Sequence, residues 1–141
     1  MNQSESQADL RWTTQQRNRG DRLARVQAAL GGALDGKVVQ AAHIVDLLNA
    51  VLEPGDRVCL EGNNQKQADF LGKALTKVDT GRVHDLHMLL SVLSLPEHLD
   101  VFDKGIASRL DFSFSGPQAG RLAKLAQAGK LNIGAIHTYL E

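Results

Sequence analysis

Asn63, Asn64, Gln65 and Lys66 stand in one run, preceded by Glu61 and Gly62 and, before those, by the short apolar stretch Arg57-Val58-Cys59-Leu60. Amide side chains donate and accept hydrogen bonds without titrating, so this cluster suits recognition of carboxylates, thioesters or phosphates better than proton transfer. Glu61 is the leading candidate for a functional carboxylate, and Lys66 is the nearest cation for an anionic substrate. The same two residues are equally consistent with an exposed strand-end glutamate and a lysine that solvates its loop. A second cluster is Ser115, Gly116 and Gln118 around Pro117. Gly-Pro at a helix start predicts outward-pointing backbone N–H groups, a cradle for an anionic or carbonyl oxygen, although Ser-Gly-Pro is also ordinary turn chemistry. His137, near the end of the chain, completes the candidates, either as an acid or base or as a half-buried structural imidazole.

Other chemistries are disfavoured by what the spacing lacks. There is no G-x-x-x-x-G-K-[ST] and no G-x-G-x-x-G after a strand, which argues against mononucleotide hydrolysis and dinucleotide redox chemistry. His43, His84, His87, His98 and His137 show no zinc-ligand spacing; His84 and His87, placed in one strand at an odd separation, would point to opposite faces. No metal site is expected. The single cysteine, Cys59, excludes an internal disulfide and in a buried strand would be an inert core thiol. Sixteen basic and sixteen acidic residues cancel, which argues against nonspecific nucleic-acid or membrane binding. No stretch offers about 18 uninterrupted apolar residues, and a cytoplasmic location is the default.

The elements that position these clusters follow from periodicity. Residues 1–36 read as a polar leader, Met1 to Ala8, followed by an exposed helix carrying Arg11, Arg17, Arg19, Arg22 and Arg25, either a solvated face or a docking surface for an acidic partner. Val38 to Leu52 has helical spacing, with Ile44, Leu47, Leu48 and Val51 on one side. Strands are expected at Arg57–Leu60, Val83–Val92, Leu110–Phe114 and Leu131–Tyr139. Helices are expected between them at Gln67–Val78, Pro96–Lys104 and Gln118–Ala128, with Ser94 as the cap of the second. Leu110, Phe112 and Phe114 alternate with Asp111, Ser113 and Ser115, the period of a strand buried on one face. Helix-length crossovers force parallel pairing, so residues 37–141 are predicted to form an α/β domain around an open parallel sheet with flanking helices, doubly wound, with ligands at the carboxyl ends of its strands.

Four stretches, LEGNNQKQADFL, HDLHMLLSVLSLPEHLDVFDKGIA, LDFSFSGPQ and IGAIHTYLE, occur in this order. Together they resemble the amino-terminal portion of the malonate decarboxylase alpha subunit, over about residues 38–141. The resemblance implies a coenzyme A transferase-like half-domain. It also implies a transferase that exchanges acetate for malonate on the thiol of a phosphoribosyl-dephospho-coenzyme A group, a group carried by an acyl carrier subunit and not bound directly by this chain. Other subunits of the decarboxylase would be partners. The family subunit continues well beyond HTYLE, so any glutamyl nucleophile would lie outside these residues and the chain alone is expected to be inactive. A truncated gene, an excised piece and a subunit with a separately encoded complement are all compatible with that. The alternative is a noncatalytic binding or scaffold piece of the complex, prone to self-association through an uncovered apolar surface.

Overall fold

In a computed structural model, residues 3–60 and 68–136 are described, and the chain divides into two compact units, Met1–Val51 and Leu52–Glu141. The first holds helix α1 (Gln3–Leu30), a hairpin of β1 (Leu34–Asp35) and β2 (Val38–Val39), and α2 (Ile44–Val51). Gln, Glu and Ala favour the helical state, and α1 accordingly begins at Gln3, inside the expected polar leader. The helix expected from Val38 begins only at Ile44. The two-residue turn Gly36-Lys37 pairs Asp35 with Val38, and the β-branched Val38 and Val39 go to that hairpin. Val26, Leu30 and Ala50 form the buried core of this unit, with Leu34, Val39, Leu47 and Val51 packed against it.

Two of the α1 arginines have a structural task. Arg25 Nε donates to Ala50 O at 3.2 Å and Arg22 Nη1 to Val51 O at 3.2 Å. The last carbonyls of α2 have no partner within the helix, so the guanidinium groups cap them and complement the negative end of its dipole.

The second unit is built on β3 (Arg57–Leu60), α3 (Asp69–Leu75), β4 (Leu86–Val92), α4 (Glu97–Asp103), β5 (Ala107–Phe114), α5 (Ala119–Gln127) and β6 (Asn132–Ile136). The four strands form one parallel sheet in the order β3-β4-β5-β6. The expected α/β class and open parallel sheet are present, but the expected double winding is not. Strand order follows chain order with no reversal, and right-handed crossovers then put all three helices on one face. Contacts of α3 with α4 and of α4 with α5 agree with that layer.

Leu86, Met88 and Leu90 of β4 are in register with Ala107, Leu110 and Phe112 of β5, and all six are buried with Phe102, Leu99 and Val101 of α4. Arg121 of α5 ties its helix to α4, donating to Asp100 Oδ1 at 2.6 Å, Asp103 Oδ2 at 2.5 Å and Pro96 O at 3.0 Å, while Lys130 reaches Asp103 at 3.1 Å. The Arg121 hydrogen bond, and after it that of Lys130, holds the Asp103 carboxyl below its ordinary range, and Asp103 in turn raises Arg121. A carboxylate with a depressed folded-state pKa stabilises the fold above its unfolded pKa, near 3.9, and loses that contribution as pH falls through the folded value. These groups are substantially exposed, so solvent screening keeps the effect small. Arg121→Ala is expected to cost about 1 kcal/mol in urea unfolding at pH 7 and low salt, and markedly less below pH 3 or in molar salt.

Candidate functional site

In a parallel sheet all strands end on one edge, so the segments after β3, β4 and β5 share the carboxyl edge. Glu61, Gly62, Asn63, Asn64, Gln65 and Lys66, which follow β3, lie outside the described residues, as does His137 after β6. The chain re-emerges at Ala68, whose backbone is left-handed (φ 45°, ψ 37°) immediately before α3. For a residue with a Cβ this costs about 1 kcal/mol, a strain of the kind held at ligand-binding turns. Ala68→Gly is expected to raise the midpoint of thermal unfolding by a few degrees.

Ser115, Gly116 and Gln118 are described in full. Gly116 to Gln118 form one 3-10 turn, with Gly116 at φ 49°. A Cβ on Gly116 would lie 3.6 Å from the Phe114 ring and 3.7 Å from Leu93 O, ordinary contact distances, so the glycine serves the left-handed backbone and not a close approach. The row of outward amides expected from Gly-Pro is largely spent: Gln118 N–H donates to Ser115 O at 3.1 Å, Ala119 N–H donates to Gly116 O, and Pro117 has no N–H.

Directly after β4 runs Leu93-Ser94-Leu95, tied to the end of β5 by Leu93 N–H donating to Phe114 O at 3.0 Å. Ser94 does not cap α4. The N-cap position is Pro96, and no side chain bonds there. The Ser94 hydroxyl oxygen is instead buried and has no hydrogen-bond partner among the described residues. An unsatisfied buried hydroxyl weakens a fold, so its place at the carboxyl edge, just after β4, makes it a candidate ligand donor. Reading the sequence as helix-start chemistry hid it; its place directly after the apolar run of the central strand was the available signal. Ser94→Ala is expected to leave thermal stability unchanged or up to about 1 kcal/mol higher while weakening ligand binding, measured by paired calorimetric unfolding and binding titration.

Three expectations about titratable or reactive residues are corrected. Cys59 is exposed, because β3 is an edge strand and Cys59 faces away from the helices. The strand begins at Leu86, so His84 lies outside it, in an exposed turn with Nδ1 2.9 Å from Asp85 Oδ2. The alternation of β5 breaks as well: Asp111 is buried and Phe114 is 64% exposed. Asp111 is buried because His87 Nε2 lies 2.9 Å from its Oδ2 and Arg109 Nε lies 3.8 Å from its Oδ1. The His87 contact has hydrogen-bond length but not its alignment, which makes it an electrostatic contact when the imidazole is protonated. Among the described residues, no three His, Cys, Asp or Glu side chains gather as a metal site, and no helix is long and apolar enough to cross a membrane.

A family model for the malonate decarboxylase alpha subunit, described as a transporter, matches residues 11–141. The acetyl-S-ACP:malonate ACP transferase of Malonomonas rubra is 52% identical over 121 residues, covering 86% of this chain and 22% of that protein. Among solved structures, the malonate decarboxylase alpha subunit of Acinetobacter baumannii superposes with a TM-score of 0.81 at 46% identity, over 88% of this chain and 23% of that one. A Pseudomonas malonate decarboxylase hetero-tetramer in complex with malonate gives the same TM-score at 51% identity, over 90% and 23%. This chain thus spans under a quarter of the length of these relatives.

Proposed function

This chain belongs to the malonate decarboxylase alpha subunit family, and we propose that it forms the amino-terminal part of an acetyl-S-acyl-carrier-protein:malonate carrier-protein transferase, exchanging acetate for malonate on a carrier thiol. The observation that carries this reading is 52% identity, over most of this chain, with a transferase of that activity. The thiol would belong to a phosphoribosyl-dephospho-coenzyme A group on an acyl carrier subunit, with the other decarboxylase subunits as further partners and the cytoplasm as location.

Acyl exchange between a carboxylate and a thioester develops negative charge on the carbonyl oxygens, and preorganised donors stabilise it. In this reading Asn63, Asn64, Gln65 and the Ser94 hydroxyl supply such donors on one side, and Ser115, Gly116 and Gln118 close the other. Lys66 pairs with malonate's second carboxylate, whose burial requires a cation or several donors. Glu61, Gly62 and His137 are the further site candidates of this reading. These residues form one wall of a site completed by the rest of a full-length subunit.

A second reading, a noncatalytic scaffold piece, is favoured by one observation. Phe114 and Phe70 are 64% and 50% exposed, and exposed aromatic side chains are the kind of surface that another part of an assembly covers. The test is to incubate the chain with acetyl-carrier protein and labelled malonate, alone and with the remainder of a family subunit supplied in trans, and to follow label on the carrier by mass spectrometry. Transfer only in the combined sample, lost in Asn64→Ala, is the expected result. Transfer by this chain alone would mean that the site is complete within it, and no transfer in either sample would favour the scaffold.

A further inference from the structure

The connections that follow β4 and β5 are fastened to each other at two points. Leu93 N–H, one residue before Ser94, donates to Phe114 O, one residue before Ser115, at 3.0 Å. Two residues beyond Ser94, Pro96 O accepts from Arg121 Nη1 at 3.0 Å. Arg121 lies in the first turn of α5, which begins directly after the Gly116–Gln118 turn. Between the fastenings the two chains run side by side, since a Cβ on Gly116 would lie 3.7 Å from Leu93 O.

Each fastened stretch is short and stiff. Only Ser94 and Leu95 stand between Leu93 and Pro96, and the Pro96 ring fixes its own φ and disfavours helical backbone at Leu95. Pro96 O also accepts the N–H groups of Leu99 and Asp100, so Arg121 grips the start of α4 and not a free loop. On the other side Gln118 N–H closes the turn on Ser115 O at 3.1 Å. The guanidinium is itself anchored, with Nη2 donating to Asp100 Oδ1 at 2.6 Å and to Asp103 Oδ2 at 2.5 Å. Its planar fork can hold two carboxylates and a carbonyl at once. A tie between helices would need only the two aspartates. The bond to Pro96 O falls instead on the segment that carries the buried, unpartnered Ser94 hydroxyl oxygen.

We propose that Arg121 is a positioning residue of the site: through Pro96 it fixes Ser94 against the Ser115–Gln118 turn, so that the two connections present their hydroxyl and amide donors to one carboxylate of malonate. The choice of malonate rests on the transferase reading above, whereas the clamp rests on the bonds to Phe114 and Pro96. Donors held in place before binding lose little freedom when the ligand arrives; a loose Ser94 would be ordered only on binding, which weakens it. Arg121 acts only through the segment it holds.

The test compares Arg121→Ala, Arg121→Lys and Asp103→Asn in the full chain. Asp103→Asn is the structural control, because it removes an ion pair between α4 and α5 but leaves Arg121 its bonds to Pro96 and Asp100. Without ligand, amide hydrogen exchange is read at Leu93 and Gln118, with His87 N–H, bonded to Asp56 O at 2.9 Å, as the reference in the sheet. In Arg121→Ala, exchange at Leu93 and Gln118 should rise about tenfold relative to His87, Arg121→Lys should restore part of the protection, and Asp103→Asn should change all three amides alike. With the remainder of a family subunit supplied in trans, kcat/KM for malonate should fall about tenfold in Arg121→Ala and less than about twofold in Asp103→Asn. Unchanged relative exchange in Arg121→Ala, or an equal loss in Asp103→Asn by either measurement, would overturn the proposal. No transfer by the wild-type pair would overturn the transferase reading instead, and the exchange comparison would then decide the clamp by itself.

Discussion

Gly134→Ala is expected to destabilise the second unit by about 2–4 kcal/mol, a loss of many degrees in thermal unfolding. The added Cβ would overlap Asp111 Oδ1 and crowd Arg109 Nε and Nη2, the latter at 3.1 Å. The carboxylate cannot retreat easily, because it is buried and braced by His87 on the neighbouring strand. Either β6 moves away, losing its pairing with β5, or Asp111 leaves its partners and a charge stays buried without compensation, which costs several kcal/mol. The two routes separate in a double-mutant cycle. If the clash is with Asp111, Gly134→Ala should cost much less in an Asp111→Ala background, with a coupling above 1 kcal/mol by urea unfolding. Additive losses would mean that the β6 backbone itself cannot accept a side chain.

Phe102→Ala is expected to cost about 3–5 kcal/mol, the range for truncating a fully buried aromatic ring. Phe102 is 2% exposed and is the largest of the fully buried side chains, on the helix that lies between α3 and α5. Removing it leaves a cavity where α4 meets the sheet, and neighbours packed at interior density fill such a space only in part. Both α3 and α5 follow candidate loops, so the loss should also reach the carboxyl edge. Hydrogen exchange is the discriminating measurement. Protection should fall in α3, α4 and α5 together, whereas loss confined to α4 would show that the helices open independently.

Phe102 itself was legible in the chain, as an apolar residue in a predicted helix between a proline and a glycine. So were the strand–helix alternation, the parallel pairing it imposes and the placement of the Ser115–Gln118 turn directly after β5, because these depend on local periodicity and on connection length. Even there, the boundary residues moved. Val38 and Val39 joined a hairpin because two residues suffice to close one, a tertiary pairing that helical spacing does not reveal.

What only the tertiary structure decided concerns residues whose role depends on a neighbour far away in sequence. Asp111 reads as the polar face of an alternating strand, yet it is buried, because His87 from the next strand and the space left by Gly134 make its burial tolerable. Cys59 reads as core, yet it is exposed, because strand order put β3 at the edge of the sheet. Ser94 reads as a helix cap, yet its hydroxyl is buried without a partner among the described residues. Periodicity states which residues share a face within one element. Which faces become interior, and which polar groups find partners there, is set by the order and register of strands, a property of the assembled sheet.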